Sequence, residues 1–182
     1  IVSALNTSKS LDVESASSND GLPIRLWGWN GSNAQLYIAR QVGNGTFTLV
    51  NKSSGKVIDV AWNNTDNGAS IDQYSSNNTS AQQWIVRKNA DGTYSFQGRG
   101  SGKFMEVPGA NSTSGSYVKT YVGNGTTAQN WRVSTPSSSD IHDAHFALDH
   151  YRDLPDGTYN FARSTNVNKV LDISGASHAD AA

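Results

Sequence analysis

The sequence contains no cysteine, so it can form no disulfide and offers no thiolate as a nucleophile or metal ligand. No apolar run approaches the ~20 residues that a membrane-spanning helix requires. Charged residues make up only 16% of the 182 positions, and the net charge is −1 at pH 7. This balance gives no reason to expect nucleic acid or an acidic membrane surface as a partner. Thiol chemistry, membrane insertion and nucleic-acid binding are therefore not expected functions.

Glycine and aromatic residues are abundant in this otherwise polar chain. It has 17 Gly, 5 Trp, 7 Tyr and 5 Phe, although only 36% of its residues are hydrophobic. Such a composition is typical of many short strands joined by tight turns. The first residue is Ile1 and not Met, and we expect the chain to be a piece of a longer protein.

One phrase, glutamine followed two residues later by an aromatic residue, occurs three times. It reads "AQLYIA", "AQQWIV" and "AQNWRV", and its glutamines lie 47 residues apart at Gln35, Gln82 and Gln129. An acidic residue, a glycine and a second aromatic residue recur with the same step, at Asp12, Asp59 and Glu106, at Gly21, Gly68 and Gly115, and at Trp27, Tyr74 and Tyr121. Four features that share one step indicate an internal repeat.

Each repeat has the pattern of strands. The segment "GTFTLVNKSSGKVIDV" at Gly45–Val60 has two short runs of β-branched and aromatic residues around an "SSG" turn. "ASIDQYSS" then alternates with period two, and "QQWIVR" closes the unit. About four short strands are predicted per repeat, and neighbouring repeats must cover one another's apolar faces. A propeller is not expected, because it needs at least about four blades.

The spacing of "GT[FY]" predicts where the repeats stop. This motif occurs at Gly45, Gly92 and Gly157, so the second step is longer than the first by about 18 residues. We expect three repeats at about 1–40, 41–87 and 88–133, and a linker with a short helix capped by Ser139 or Asp140 at 134–155. Residues 156–182 are expected to begin a second, truncated copy, with Asp172 in the acidic position.

Three repeats that each carry an acid, then an aromatic residue, then Gln-x-aromatic resemble the ricin-B-type lectin family. The resemblance covers nearly all of residues 1–133 and about half a repeat beyond. It implies an all-β fold, the β-trefoil, in which twelve strands form a six-stranded barrel capped by three hairpins. It also implies a non-catalytic carbohydrate-binding module with up to three shallow sites, of a kind commonly attached to a toxin or a glycoside hydrolase.

The resemblance assigns the sugar-binding residues. In each repeat the acid would accept hydrogen bonds from sugar hydroxyls, and the ring would stack on the pyranose. The acids are Asp12, Asp59 and Glu106, the rings are Trp27, Tyr74 and Tyr121, and a further polar contact two residues before each ring is Arg25, Asp72 or Lys119. The turn glycines would form the loop that closes each pocket. Asp72 would suit a ligand with many donors, and Arg25 or Lys119 would suit acidic sugars. Alternatively, the acids satisfy backbone amides in tight turns.

The Gln-x-aromatic residues are interpreted as scaffold. The aromatic residue would be buried in the core, and the glutamine amide would bond the backbone of the adjoining strand. These residues are Gln35, Tyr37, Gln82, Trp84, Gln129 and Trp131. Galactose-binding relatives often have Asn just before this glutamine, where this chain has Ala34, Ala81 and Ala128. Galactose specificity is therefore not implied.

Two other classes of function remain open. His142, His145 and Asp149 could share one face of a linker helix and hold a metal, but we expect no catalytic residues, metal or cofactor. A trefoil can also serve as a protein-binding or inhibitory scaffold, although such a scaffold has no reason to repeat an acid–aromatic pair. The Asn-x-Ser/Thr triplets, which are potential glycan acceptors, do not distinguish between these functions. They include those at Asn30, Asn44, Asn63, Asn111 and Asn124.

We therefore expect a glycan-binding module of a larger bacterial protein, located outside the cell or on its surface. Its partners would be glycans or polysaccharides, and it would be covalently linked to further domains. Because single shallow sites bind weakly, several linked sites would supply the useful affinity.

Overall fold

The computed structural model describes residues 1–134 and, beyond them, the strands Ala162–Arg163 and Asn166–Val170. The expected linker helix, the histidines, Asp149 and Asp172 lie outside the described residues.

Residues 1–134 form twelve short strands. They are β1 Val2–Ser3, β2 Asn6–Val13, β3 Leu22–Gly28, β4 Tyr37–Gly43, β5 Thr46–Asn51, β6 Val57–Val60, β7 Ile71–Tyr74, β8 Trp84–Lys88, β9 Tyr94–Gly98, β10 Phe104–Glu106, β11 Lys119–Tyr121 and β12 Trp131–Arg132. Helical backbone within this range is limited to six three-residue 3₁₀ segments, at Glu14–Ala16, Asn33–Gln35, Ala61–Asn63, Ser80–Gln82, Pro108–Ala110 and Thr127–Gln129. The 3₁₀ segments recur in steps of 47 residues, like the sequence motifs: three begin at Glu14, Ala61 and Pro108, and three at Asn33, Ser80 and Thr127.

The predicted strand pair in Gly45–Val60 is confirmed as β5 and β6. The turn between them is built by Asn51, whose Oδ1 accepts hydrogen bonds from the backbone N–H groups of Ser53 and Ser54 at 3.0 and 3.1 Å. Gly55 follows with a φ of 70°, a left-handed conformation that glycine adopts without steric cost. An asparagine that opens the turn and a glycine that closes it explain why the chain reverses here.

The strands are arranged with threefold symmetry. Six of them pair antiparallel in the order β4–β5–β8–β9–β12–β1, and the other six form the hairpins β2/β3, β6/β7 and β10/β11. The hairpins meet one another in a cycle: β3 pairs with β7, Ser70 bridges to Lys119, and Arg25 bridges to Tyr117. This is a β-trefoil, and the predicted fold class is confirmed.

Equivalent positions of the three repeats fill the core. Nine aliphatic side chains at threefold-related positions of the hairpins are at most 1% exposed, namely Leu11, Ile58, Met105, Val13, Val60, Val107, Ile24, Ile71 and Val118. Burying each such side chain contributes roughly 1.5–3 kcal/mol relative to leaving it in water. The core therefore fixes the three hairpins in equivalent orientations.

The turn glycines connect each repeat to the next. The backbone N–H groups of Gly21, Gly68 and Gly115 donate to the carbonyls of Gln73, Thr120 and Leu26 at 2.8, 2.7 and 2.8 Å. Each acceptor immediately precedes an aromatic residue of the repeated pattern, so repeat 1 bonds to 2, 2 to 3, and 3 to 1. The glycines lie in the predicted loop between acid and ring, and they join it to the ring strand of a neighbouring repeat.

The strands Ala162–Arg163 and Asn166–Val170, β13 and β14, pair antiparallel as a two-stranded sheet. They belong to a second compact unit.

Candidate functional site

The pairing register of each hairpin brings the predicted site residues together. Directly opposite each acid lies the polar residue that precedes the ring by two positions: Asp12 pairs with Arg25, Asp59 with Asp72, and Glu106 with Lys119. Directly opposed residues of an antiparallel pair share a face, and so do residues two apart on one strand. We call the resulting groups site 1 (Asp12, Arg25, Trp27), site 2 (Asp59, Asp72, Tyr74) and site 3 (Glu106, Lys119, Tyr121).

Acid and ring differ in exposure in the same way at all three sites. The three acids are buried, whereas Trp27, Tyr74 and Tyr121 are 38%, 43% and 39% exposed. Each site therefore presents an accessible ring beside a carboxylate that is largely removed from water. A ligand that stacked on the ring could bring its polar groups to the carboxylate.

The repeated glutamine holds the acid as well as the backbone. Gln35 Nε2 donates to Asp12 Oδ1 at 3.1 Å and to the Gly28 carbonyl at 2.9 Å. Gln129 Nε2 donates in the same way to Glu106 Oε2 at 2.7 Å and to the Val122 carbonyl at 2.8 Å. The contact to the acid was not part of the sequence-based interpretation.

The glutamine oxygen fixes a further repeated residue. It accepts the backbone N–H of Asn30, Asn77 and Asn124 in the three repeats, at 2.9, 2.9 and 3.1 Å. The Oδ1 of each asparagine in turn accepts the backbone N–H two residues later, which closes an Asx turn. Asn124 Nδ2 also donates to Glu106 Oε2 at 3.2 Å. Three Asn-x-Ser/Thr triplets are thus turn residues, and their 47-residue spacing was the signal that could have identified them.

The buried aromatic residue of the Gln-x-aromatic phrase supports the acid-bearing strand. Trp84 Nε1 donates to the Ile58 carbonyl at 3.1 Å, and Trp131 Nε1 donates to the Met105 carbonyl at 3.2 Å. Both acceptors immediately precede an acid. In repeat 1 the equivalent residue is Tyr37, whose hydroxyl is buried with no hydrogen-bond partner in residues 1–134. Burial raises the pKa of Tyr37.

In site 1, Arg25 contacts both groups that were predicted to bind a sugar, the carboxylate of Asp12 and the ring of Trp27. Arg25 Nε lies 2.9 Å from Asp12 Oδ2, and its Nη1 lies 2.7 Å from Glu14 Oε1. The guanidinium carbon also lies 4.3 Å from the centroid of the Trp27 ring, a cation–π contact. Since Gln35 bonds the other oxygen of Asp12, both carboxylate oxygens have partners. The carboxylate of site 1 is therefore fully hydrogen-bonded within the protein.

Site 2 has two carboxyl groups and no cation between them. Neither Asp59 nor Asp72 forms an ion pair within the described residues. Burial raises the pKa of Asp59, and a hydrogen bond from Gln82 partly offsets that rise. Burial first, and then the nearby charges of Asp59 and Asp20, raise the pKa of Asp72 to about 7. Asp72 Oδ1 is buried and accepts no hydrogen bond from the part of the chain that is described.

Site 3 has its carboxylate paired with amides. Glu106 Oε2 accepts from both Gln129 and Asn124, and the opposing Lys119 is exposed. Lys119 forms no ion pair in residues 1–134. Sites 1 and 3 thus place a cationic residue opposite the acid, and site 2 places a second acid there.

The described residues contain no group of three or more His, Cys, Asp or Glu that could hold a metal ion. None of the helices in this part of the chain is long and apolar enough to cross a membrane.

A family model described as "Ricin-type beta-trefoil lectin domain-like" matches residues 1–74 and 80–182. A search of curated protein sequences returned no significant match.

Solved structures are also similar to this chain. ThreeFoil, a designed protein with threefold symmetry, is 35% identical over 72% of this chain and 93% of its own, with a TM-score of 0.70. The exo-β-1,3-galactanase 1,3Gal43A from Clostridium thermocellum is 30% identical, with a TM-score of 0.69; the match covers 72% of this chain but only 28% of the galactanase. The C-half of the earthworm R-type lectin, solved with GalNAc, is 20% identical over 71% of this chain and 92% of its own, with a TM-score of 0.56. At that identity the likeness shows the fold alone.

Proposed function

The chain belongs to the ricin-type β-trefoil lectin-domain-like family, and we propose on that premise that it binds glycans as a non-catalytic module. The observation that carries the proposal is a buried carboxylate beside an exposed ring on one face of each hairpin, at Asp12/Trp27, Asp59/Tyr74 and Glu106/Tyr121. Adjacent sugar hydroxyls donate to a carboxylate, and the apolar face of a pyranose stacks on a ring.

The three sites contribute unequally in this proposal. Sites 2 and 3 are the principal sites, because part of each carboxyl group is left for a ligand. Site 1 is the weakest, since a sugar would have to displace Arg25 from both Asp12 and the face of Trp27. Displacing a partly buried, hydrogen-bonded ion pair costs more free energy than displacing water.

The proposal places the module outside the cell, linked to further domains of a larger bacterial protein. The similarity to 28% of a bacterial galactanase supports this arrangement, because a module of this size can be one part of a polysaccharide-degrading enzyme. Several weak sites on one polysaccharide would raise the overall affinity by about 10²–10⁴.

A protein-binding role is the competing function, and one observation favours it. Trp62, in the loop after Asp59, is 98% exposed. Exposed tryptophans are enriched among the residues that dominate protein–protein binding energy.

A glycan array tests the two functions against each other. It would compare the full chain with a variant in which Trp27, Tyr74 and Tyr121 are all replaced by Ala. The control is Val42→Ala, which removes a similarly exposed apolar side chain from β4, away from the hairpins. We expect the wild type and the control to bind one class of sugar and the triple variant to lose it. A folded wild type that binds no glycan would contradict the proposal, and so would a triple variant that binds equally well.

A further inference from the structure

Site 2 differs from the other two sites in the charge of the residue opposite the acid. The residue opposite the acid is Arg25 in site 1 and Lys119 in site 3, but it is Asp72 in site 2. Asp59 and Asp72 face each other on β6 and β7 and are both buried, 6% and 7% exposed. Two carboxyl groups on one face of a hairpin repel each other when both are ionised.

One of these carboxyl groups has an unfilled hydrogen-bonding position. Asp72 Oδ1 is buried and has no partner among the described residues, although buried polar atoms are satisfied in the great majority of cases. Leaving such an acceptor unpaired destabilises the folded protein. The exposed ring of Tyr74 lies two residues further along β7, on the same face. An external donor that stacked on this ring would be well placed to fill the position.

The charged groups around site 2 leave the pair without a cation. On the segment before β3, Asp20 adds a further negative charge, and Pro23 of β3 lies opposite Asp72. A cation on an adjoining segment is Lys56, just before β6. Its Nζ is held 2.7 Å from Asp20 Oδ1 and 2.9 Å from Ser75 Oγ. Lys56 is thus engaged by the third acid, and the Asp59/Asp72 pair retains its negative potential.

We propose that site 2 is selective for amino sugars with a free, protonated amine, whose ammonium group binds between Asp59 and Asp72 while the pyranose stacks on Tyr74. The inference rests on the proposed glycan-binding function and names the ligand class of one site. An ammonium group carries three donors and a compact positive charge, which matches two carboxylates that lack a cation. An acetylated amine is neutral and offers a single N–H.

Binding of the amine is coupled to the release of a proton from Asp72. Near neutral pH Asp72 is partly protonated, because its pKa is raised to about 7. When the ammonium enters, Asp72 ionises and releases its proton to solvent, and two charge-assisted contacts replace the repulsion between the carboxylates. Affinity for the amine therefore rises as the pH increases through about 7, and it falls again once the amine itself loses its proton.

The test uses the full chain and calorimetric or NMR titration with glucosamine and galactosamine. Their N-acetylated forms and the parent neutral sugars are titrated in parallel. Asp72→Asn keeps the shape of the side chain and removes its charge. Asp91→Asn removes one negative charge from an exposed turn and serves as the matched control. Proton release is measured on the wild type in buffers of different ionisation enthalpy, which keeps the test independent of whether the variant folds.

We expect the wild type and Asp91→Asn to bind the free amines about tenfold more tightly than the neutral sugars, a factor equivalent to one pKa unit. Asp72→Asn should bind both kinds equally, and the NMR shifts caused by the amine should include Tyr74. Equal affinity for amine and neutral sugar in the wild type would overturn the inference and leave the proposed function intact. A preference retained in Asp72→Asn, or amine binding without proton release near neutral pH, would also overturn it. A folded protein that binds none of these sugars would count against both.

Discussion

Sites 1 and 2 have the same backbone and opposite charge across from the acid. In site 1, Arg25 pairs with Asp12 and covers one face of Trp27. In site 2, Asp72 adds a second buried carboxyl group beside Asp59, and one of its oxygens has no partner in residues 1–134. Both carboxylate oxygens of Asp12 have partners, whereas Asp72 Oδ1 has none among the described residues.

This difference arises because the scaffold under the two sites leaves their charged residues free to vary. In both repeats a glutamine amide is bound at the acid-bearing hairpin and a glycine ties its loop to a neighbouring repeat. In repeat 2 a buried tryptophan also supports the acid-bearing strand. The residue opposite the acid takes part in none of these scaffold contacts. A repeat protein can therefore change the charge of one site without losing its symmetry. Variants that act on the scaffold, on Arg25 and on Asp72 should separate these contributions.

Trp84→Ala should have the largest effect. Trp84 is fully buried beneath site 2, and its indole N–H donates to the Ile58 carbonyl. We expect a loss of about 3–5 kcal/mol in the free energy of unfolding, from the cavity and the lost hydrogen bond. Urea unfolding followed by tryptophan fluorescence or circular dichroism would measure it.

The matched change beneath site 1 is Tyr37→Phe, which removes a hydroxyl that lacks a hydrogen-bond partner in the described residues. We expect it to change the free energy of unfolding by less than about 1 kcal/mol. If Tyr37→Phe cost as much as Trp84→Ala, the hydroxyl would have an essential partner and the two scaffolds would not differ as described.

Arg25→Met should be next in size. Methionine keeps an unbranched stem but lacks the guanidinium group, which leaves Asp12 without the cation that lies 2.9 Å away. Breaking a buried pair by removing one partner costs about 3–5 kcal/mol, and we expect about 2–3 here because Arg25 remains partly accessible to solvent. Chemical denaturation of the full chain would give the value.

A second variant separates loss of the ion pair from loss of packing. In Arg25→Met/Asp12→Asn neither charge remains, so most of the lost stability should return. If the double variant were less stable than Arg25→Met alone, the ion pair would not explain the loss. Arg25→Met alone should also uncover one face of Trp27, so that site 1, like site 2, would have an uncovered ring and no cation opposite its acid.

The repeat was predictable because the same residue types recur at one fixed spacing in the sequence. Acid, glycine, ring and glutamine recur every 47 residues, and the 3₁₀ segments of the structure follow the same step. Because the register of all three hairpins is the same, the acid and the ring predicted from sequence meet in each. The threefold spacing of Asn30, Asn77 and Asn124 was equally visible, but no structural role was predicted for these triplets.

The electrostatic state of each site was not predictable in the same way. The sequence places Arg25 and Asp72 at equivalent positions, but it does not reveal that Arg25 folds over Trp27 or that Asp72 keeps an oxygen unpaired. Those outcomes depend on side-chain rotamers and on burial by neighbouring repeats. The contact from Gln35 to Asp12 was missed for the same reason, since it joins residues 23 positions apart through a side-chain conformation.

Asp72→Asn should make the protein more stable at neutral and alkaline pH. The folded state raises the pKa of Asp72 from 3.8 to about 7, so between these values it binds more protons than the unfolded state. Stability therefore falls as the pH rises from about 4 to about 7 and is flat, as far as Asp72 is concerned, above that range. We expect a gain of about 2 kcal/mol in the variant above pH 7, which is about half the full linkage value because water reaches this site at Tyr74.

Measuring the free energy of unfolding of both proteins from about pH 4 to about pH 8 would check this, and the difference between them is the informative quantity. A difference that did not vary with pH would contradict the raised pKa of Asp72.

Trp62→Gly should have the smallest effect on stability and, like Asp72→Asn, should increase it. Trp62 has a φ of 60°, a left-handed conformation that L-residues adopt at a cost of about 1–2 kcal/mol, and its side chain is 98% exposed. Gly109 occupies the equivalent position in repeat 3 with a φ of 59°, and Ser15 does so in repeat 1. Since glycine also gains entropy in the unfolded chain, we expect a net gain of about 0.5 kcal/mol, measured as a higher midpoint of urea unfolding.

Trp62→Ala is the control for this change, because it removes the ring and keeps the strained backbone, so its midpoint should stay at the wild-type value. A lower midpoint in Trp62→Gly would mean that the ring makes stabilising contacts. If Trp62→Gly is the more stable protein and binds polysaccharide less tightly, then repeat 2 retains a strained tryptophan because it contributes to binding. That result would extend the contrast between the first two repeats, since repeat 2 would offer an external ligand the ring of Trp62 as well as the unpaired oxygen of Asp72.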